Sequence, residues 1–305
     1  MFPIIPAASA ADSGNQEGIF GFGGLSPLYS LTNLVSDAGV VSTDVTGVGT
    51  ARDAVMACEY GGDKGIFAYG PSVGATATSN LVSNAGVVST DVAGVGTARY
   101  GGGGCDYGGD KGIFGFGHDI SNPPSGVPTG VTNLVSNAGV VATDTAAVGT
   151  ARYYTSACEY GSDKGIFRGG YEIGPGLVSM SNLVSNAGVV STDVTGVGTV
   201  RQKTAACSYG GDKGIFGFGA GGPTAVTNLV SNAGVVSTDV AGVGTARENP
   251  AACEYGGDKG IFGFGTAGGS KLAVTNLVSN AGVVATDQAA VTGTVRSHLG
   301  ACSFN

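Results

Sequence analysis

Six cysteines stand at matching places in the chain: Cys58, Cys105, Cys158, Cys207, Cys253 and Cys302, each six residues after an arginine. Clustered thiolates bind soft metals or oxidise to disulfides, but no CxxC or Cys/His spacing supports a zinc site. Equivalent positions in successive repeats form a ring, with neighbouring Cα atoms near or beyond the ~7 Å limit for bridging. The expectation is small buried thiols packed between repeats, with disulfides or a thiolate metal ring as alternatives. Acids follow four of the cysteines, Glu59, Asp106, Glu159 and Glu254, while Ser208 and Ser303 follow two. These are expected to be solvated side chains, with cation binding in a central channel as the alternative.

A second periodic set is ionic. Asp44, Asp91, Asp144, Asp193, Asp239 and Asp287 match Arg52, Arg99, Arg152, Arg201, Arg247 and Arg296. They are expected to pair within or between repeats, and an arginine ring open to anionic ligands is the alternative. The recurring "GGDKG" fits neither a phosphate-binding loop nor an EF-hand, and reads as a hairpin turn. Only two histidines exist, His118 and His298. A catalytic constellation needs unlike residues converging on one point, which repeated residues do not supply. The chain is therefore read as a non-enzyme with no catalytic, cofactor or metal site.

The elements that must position these residues come from the repeats. "(T/S)NLVS" recurs with its Asn at Asn33, Asn80, Asn133, Asn182, Asn228 and Asn276, and "GIF" recurs six times. Each unit reads as four short strands, "ACEYG", "GIFGFG", "TNLVS" and "VVSTDV", bounded by Gly, Asn and Asp, with no helical period. Four strands per unit is a propeller blade. The C-terminal "ACSFN" is half of a phrase whose other half, "GIFGFG", lies near the N-terminus. The expected fold is thus all-β: a six-bladed β-propeller of four-stranded blades, closed by a C-terminal strand 1 pairing with N-terminal strands 2–4. Residues 1–14 are read as an N-terminal arm and 15–305 as the propeller.

Composition agrees with that class. Glycine contributes 58 of 305 residues without a Gly-X-Y period, which excludes collagen, and 42% hydrophobic residues argue against disorder. A net charge of −8 disfavours nucleic acid and anionic membrane as partners. No apolar run is long enough for membrane insertion. "MFPIIPAASA" lacks a basic n-region and is broken by Pro3 and Pro6, so it is not read as a signal peptide.

Length variation points to one face. The spacing from Arg to Cys and from Cys to the GIF Phe is constant, whereas the Phe-to-Asn loop varies between 12 and 19 residues. Substitution concentrates there and in the four residues after each Arg: "DAVM", "YGGG", "YYTS", "QKTA", "ENPA" and "SHLG". In an up-down blade both segments emerge on the same side, where recognition is expected. The candidate binding-face residues are His118, Asp119, Asn122, Tyr153, Tyr154, Arg168, Tyr171, Glu172, Lys203 and His298.

Strand 2 ending "GFGG", an Asn-led strand, and an Arg before the next inner strand together resemble the kelch repeat, although the copies lack its Trp. "YGGDKGIFGFG…TNLVSNAGVVSTDVAGVGTAR" is similar to kelch-like tandem repeats of tailed bacteriophages, notably of aquatic bacteria, and of some bacteria. The resemblance spans about residues 15–305. Galactose-oxidase relatives share the architecture, but no equivalent of their copper ligands is seen. The resemblance implies a non-enzymatic virion structural or adhesion protein, a tail, fibre or capsid-surface component assembled in the host cytoplasm. Its implied partners are other virion proteins and a host-surface glycan or receptor. A soluble glycan-binding lectin, with ligands between blades, is the alternative.

Overall fold

The computed structural model describes residues 16–72, 74, 76–119, 121, 126–289 and 293–304. Among these there are strands and turns but no helix. The proposed arm, residues 1–14, lies outside the described residues.

Each repeat builds one antiparallel three-stranded sheet with the Ile-Phe strand in the middle. In one such sheet Met56–Tyr60 pairs with Lys64–Ala68, which pairs with Ser79–Val82. The register places Cys58 opposite Ile66 and Ile66 opposite Leu81. The other sheets repeat this pairing, and the last mixes the two ends of the chain. Gly300–Phe304 pairs with Glu17–Gly21, placing Cys302 opposite Ile19. Glu17–Gly21 pairs in turn with Thr32–Val35. The Cys strand of each sheet lies against that of the next. Gly300–Phe304 touches both Ala251–Tyr255 and Met56–Tyr60.

The expected fourth strand is not a strand. "VVSTDV" touches its neighbour through two isolated bridges per repeat, such as Val35 with Val41 and Thr32 with Val45. The physical reason lies in the side chains. Leu34 N–H donates to the Ser42 hydroxyl at 2.9 Å, and Asn33 Nδ2 donates to Ser42 O and Asp44 Oδ1. Side chains take bonds that a regular ladder would give to the backbone.

Packing between sheets follows from small residues in fixed places. A Cβ on Gly214 would lie 2.5 Å from Cys158 Sγ, and one on Gly260 would lie 2.6 Å from Cys207 Sγ. The GIF glycine is therefore the socket for the neighbouring thiol. Two residues on, the GIF phenylalanine is fully buried in all six repeats. All six cysteines are free and buried. Burial pushes each thiol well up from its usual range, which leaves little thiolate for metal or redox chemistry.

The repeated arginines carry the connection from one repeat to the next. Arg52 is completely buried. Its guanidinium lies 4.4 Å above the Phe22 ring of its own repeat. It then reaches into the following repeat, donating from Nε to Tyr69 O at 2.8 Å and from Nη2 to Asn80 Oδ1 at 2.5 Å. Asp91, 3.8 Å from Arg52 Nη1, also accepts from the Thr50 N–H and hydroxyl. Thus Arg52 pairs with Asp91 rather than with Asp44 of its own repeat. The Asp–Arg pairing runs between repeats. Arg99, Arg152, Arg201 and Arg296 make the same bond to the next asparagine, and Arg247 does not.

Across the two chain ends, Arg296 donates to Asn33 at 2.6 Å and lies 3.4 Å from Asp44. Burial alone would raise the aspartate pKa values, but the Thr and Asn hydrogen bonds and the arginine charge hold them below the carboxylate range. With every one of these guanidinium groups buried, an arginine ring open to anions is not what the residues form.

The two ends are joined by strand pairing and by side chains, so removing residues 301–305 is expected to lower the thermal midpoint of the whole chain by ~10 °C or more. That is far beyond the usual tolerance of termini to trimming. Calorimetry checks this, and a melt matching the full chain would contradict it.

Candidate functional site

The varied loops meet at one place. Two residues after each buried arginine the backbone adopts a left-handed conformation: Ala54 (φ 45°), Gly101 (64°), Tyr154 (55°), Lys203 (55°), Asn249 (52°) and His298 (59°). Glycine adopts this region freely and asparagine and histidine enter it more readily than most, whereas Ala54, Tyr154 and Lys203 accept strain of roughly 1–3 kcal/mol each.

The six loops hold one another in place. Ala54 N donates to His298 O, His298 N to Asn249 O, Asn249 N to Lys203 O and Lys203 N to Tyr154 O. Thr155 N donates to Gly101 O and Gly101 N to Ala54 O, at distances of 2.9 to 3.3 Å around the set. A cyclic belt of backbone hydrogen bonds thus offsets the local strain. The result is a cavity of about 600 Å³ lined by unlike residues, including Asp53, Tyr100, Tyr154, Lys203, Glu248 and Asn249.

Charges in this cavity are matched. Lys203 Nζ lies 3.3 Å from Glu248 Oε2 and 5.2 Å above the Tyr154 ring. Burial raises the Asp53 carboxyl, and the charge of Lys271 partly opposes that. His298 is pushed down to about 4 by burial, with Lys203 and Lys271 adding to the effect, so it is neutral at physiological pH. Beside the cavity runs an aromatic cluster. Tyr100 lies 5.2 Å from His118 and 6.0 Å from Tyr154, and Tyr153 lies 4.8 Å from Tyr154, 4.9 Å from His118 and 5.5 Å from Tyr171.

Among the residues expected from sequence, the structure brings His118, Tyr153, Tyr154, Tyr171, Lys203 and His298 together here. Asp119 instead accepts from Ser121 N and Oγ. Glu172 is half-buried near the tip of the long hairpin made by Lys164–Glu172 and Gly176–Val184. Asn122 lies outside the described residues.

Arg168 is a correction, because it is 2% exposed and is no binding-face residue. Its repeat carries Gly169 where others have Phe22, Tyr69, Phe116, Phe218 or Phe264. Arg168 stacks at 5.6 Å on Phe216 and donates to Val197 O, as the Tyr69 hydroxyl donates to Val95 O in another repeat. Ten lining residues were missed. Asp53, Ala54, Tyr100, Glu248 and Asn249 lie in the four-residue segments after the arginines, and Leu25, Leu28, Pro71, Ser72 and Thr266 lie in the Phe-to-Asn loops; their place in those varied loops was the available signal.

A separate narrow cavity of about 40 Å³ is lined by the Cys strands and their acids. Burial, then the charges of Asp106 and Glu59, drives the Glu159 carboxyl far above the carboxylate range, and Asp106 shares a hydrogen bond with it. Burial raises Glu254 as well. Glu59, Asp106, Glu159 and Glu254 are thus half-buried around this cavity rather than freely solvated as the sequence suggests. Among the described residues no group of three or more His, Cys, Asp or Glu is arranged to hold a metal ion.

The consequence for pH has a definite sign. A carboxyl raised in the folded state favours folding most below its ordinary value of 4.5 and penalises it progressively as pH rises. Glu159→Gln keeps the neutral form at every pH. It is expected to raise the melting temperature by at least ~2 °C at about pH 8 and to leave it unchanged at about pH 4. Differential scanning calorimetry at both pH values checks this, and an equal effect at both would contradict it.

No protein-family model matches the chain, and no curated protein matches it either.

Proposed function

We propose that the chain is a non-enzymatic recognition protein: a kelch-like, six-bladed β-propeller whose varied face binds a partner and whose uniform face docks it in an assembly. What supports the architecture is the six equivalent sheets, the pairing of Gly300–Phe304 with Glu17–Gly21, and the run of neighbouring Cys strands that returns to Met56–Tyr60. Residues 15–305 then form one propeller, closed at the seam between the chain's ends.

The observation that carries recognition is that the loops differing most in sequence converge on one cavity of about 600 Å³ lined by unlike residues. Varied loops meeting at a cavity on a repeated frame are the pattern of a binding site. The opposite face is built from five Asp-Lys turns, whose charges cancel, joined to the Asn turns by bonds such as Asn137 to Asp110. Val40, Val87, Val140, Val189, Val235 and Val283 stand there 64–66% exposed. Six unburied valines on a face whose turn charges cancel except for Asp37 suit docking against a neighbouring protein.

On this reading the chain is a virion component, a tail, fibre or capsid-surface protein assembled in the host cytoplasm, as the repeat resemblance implies. Its uniform face meets other virion proteins and its varied face meets the host surface. A labelled chain is expected to adsorb to cells of a susceptible bacterial host. Lys203→Asn, which keeps a residue tolerant of the left-handed backbone, should reduce adsorption by about tenfold, whereas Asn137→Ala on the opposite face should not. Equal adsorption by both variants would contradict the assignment of faces. A map of purified particles without density for the chain would contradict the virion role.

A further inference from the structure

Building on the recognition reading above, we propose that the 600 Å³ cavity takes the neutral ring of a saccharide, stacked against Tyr100 and Tyr154 and hydrogen-bonded by Asn249 and the Lys203–Glu248 pair. Size, charge and the pattern of donors and acceptors lead to the same class of ligand.

Size comes first. The cavity falls within the roughly 300–1,000 Å³ of small-molecule sites. Toward the Cys strands lies a separate small cavity of about 70 Å³, bounded by Ala54, Gly101, Tyr154, Lys203, Asn249 and His298 together with the residues after them. The hydrogen-bonded belt runs through these residues. The larger cavity above has room for a sugar ring.

Charge comes second. Lys203 is paired with Glu248. Asp53 lies in the field of Lys271, whose ammonium donates to Gly24 O at 2.6 Å and to Ser26 O at 3.0 Å. His298 is neutral. An anionic ligand would meet Glu248 and Asp53, and a cationic one would meet Lys203 and Lys271. A neutral ligand meets neither penalty.

Hydrogen bonding comes third. An apolar ligand would strip water from the Lys203–Glu248 pair and the Asn249 amide without replacing its bonds, which is costly. Sugar hydroxyls both donate and accept. Asn249 offers a carbonyl and an NH₂ group, Glu248 only acceptors and Lys203 only donors, so adjacent hydroxyls are matched. The C–H edges of a sugar ring carry partial positive charge and suit the negative face of an aromatic ring. Two tyrosines line this cavity, and the cluster of Tyr153, His118 and Tyr171 beside it braces them.

The test uses the full chain and saturation-transfer NMR. The probes are the methyl glycosides of glucose, galactose, mannose, fucose and N-acetylglucosamine. N-acetylneuraminic acid and glucuronic acid are the charged comparisons, and adenosine is the neutral non-sugar. At least one neutral glycoside is expected to bind, and Tyr100→Ala and Asn249→Gly should each weaken it about tenfold. Glycine keeps the left-handed backbone at 249, and calorimetry verifies that both variants fold. Absence of glycoside binding, preference for a charged sugar or for adenosine, or binding that neither variant changes would overturn the proposal. If the glycosides fail while Lys203→Asn still reduces adsorption to cells about tenfold, the ligand class is wrong and the recognition reading stands. If adsorption is unchanged as well, the recognition reading falls with it.

Discussion

One buried guanidinium per repeat ties this chain together. Each repeated arginine lies below 2% exposure, and all but Arg247 hydrogen-bond the asparagine of the following repeat. Five of the six stack over an aromatic ring of their own repeat, as Arg152 does over Phe116 at 4.1 Å and Arg247 over Phe218 at 3.9 Å. A buried cation is costly unless its donors are satisfied. For Arg52, Arg99 and Arg152 the Nε and Nη2 donors are satisfied only when the next repeat is in place, because acceptors such as Asn182 and the Gly169 carbonyl, which receive Arg152, belong to it. The sheets are short and three-stranded, and each buries its apolar side chains against those of the next, as Ile19, Phe22 and Phe304 do with Ala57, Phe67 and Val82. Cooperation between neighbours is therefore a condition of folding, and Arg296 extends it to the first repeat through Asn33.

The arginine also sets where the varied loops begin. With its side chain locked beneath them, the backbone must turn into the next Cys strand within a few residues, and the left-handed positions are how it does so. The six loops have different residues but share this constraint. Variation in sequence is thereby converted into variation in chemistry around a fixed frame, with Lys203, Asn249 and His298 occupying equivalent backbone positions.

Much of the fold was legible in the sequence because its signals are local and repeated six times. The "GGDKG" turns and the glycine-flanked Ile-Phe strands appear where spacing placed them. The fourth strand misleads because "VVSTDV" has strand composition, while its Ser and Asp side chains hydrogen-bond the neighbouring Asn strand. Whether Arg52 would meet Asp44 or Asp91 was undecidable from spacing, since every repeat offers the same aspartate. Arg168 misleads for a different reason. A charged residue before a varied loop suggests solvent, but the loss of an aromatic side chain at Gly169 leaves its repeat without that ring, and Arg168 takes up the bond the tyrosine makes elsewhere. The cavity was only half legible. Spacing from the arginine marks Tyr154, Lys203 and His298 as equivalent, but tyrosine and lysine are poor candidates for left-handed backbone, so nothing local marked the turn that brings them together.

The most direct test is a double-mutant cycle on Arg296 and Asn33, residues from opposite ends of the chain joined by one buried hydrogen bond. Urea denaturation of the wild type, Arg296→Met, Asn33→Ala and the double variant gives their coupling. If the arginine connection holds the repeats as one cooperative unit, the coupling is about 1–3 kcal/mol, as for contacting residues in a shared network. Additivity within about 0.5 kcal/mol would show that the two residues act independently, and would contradict the account.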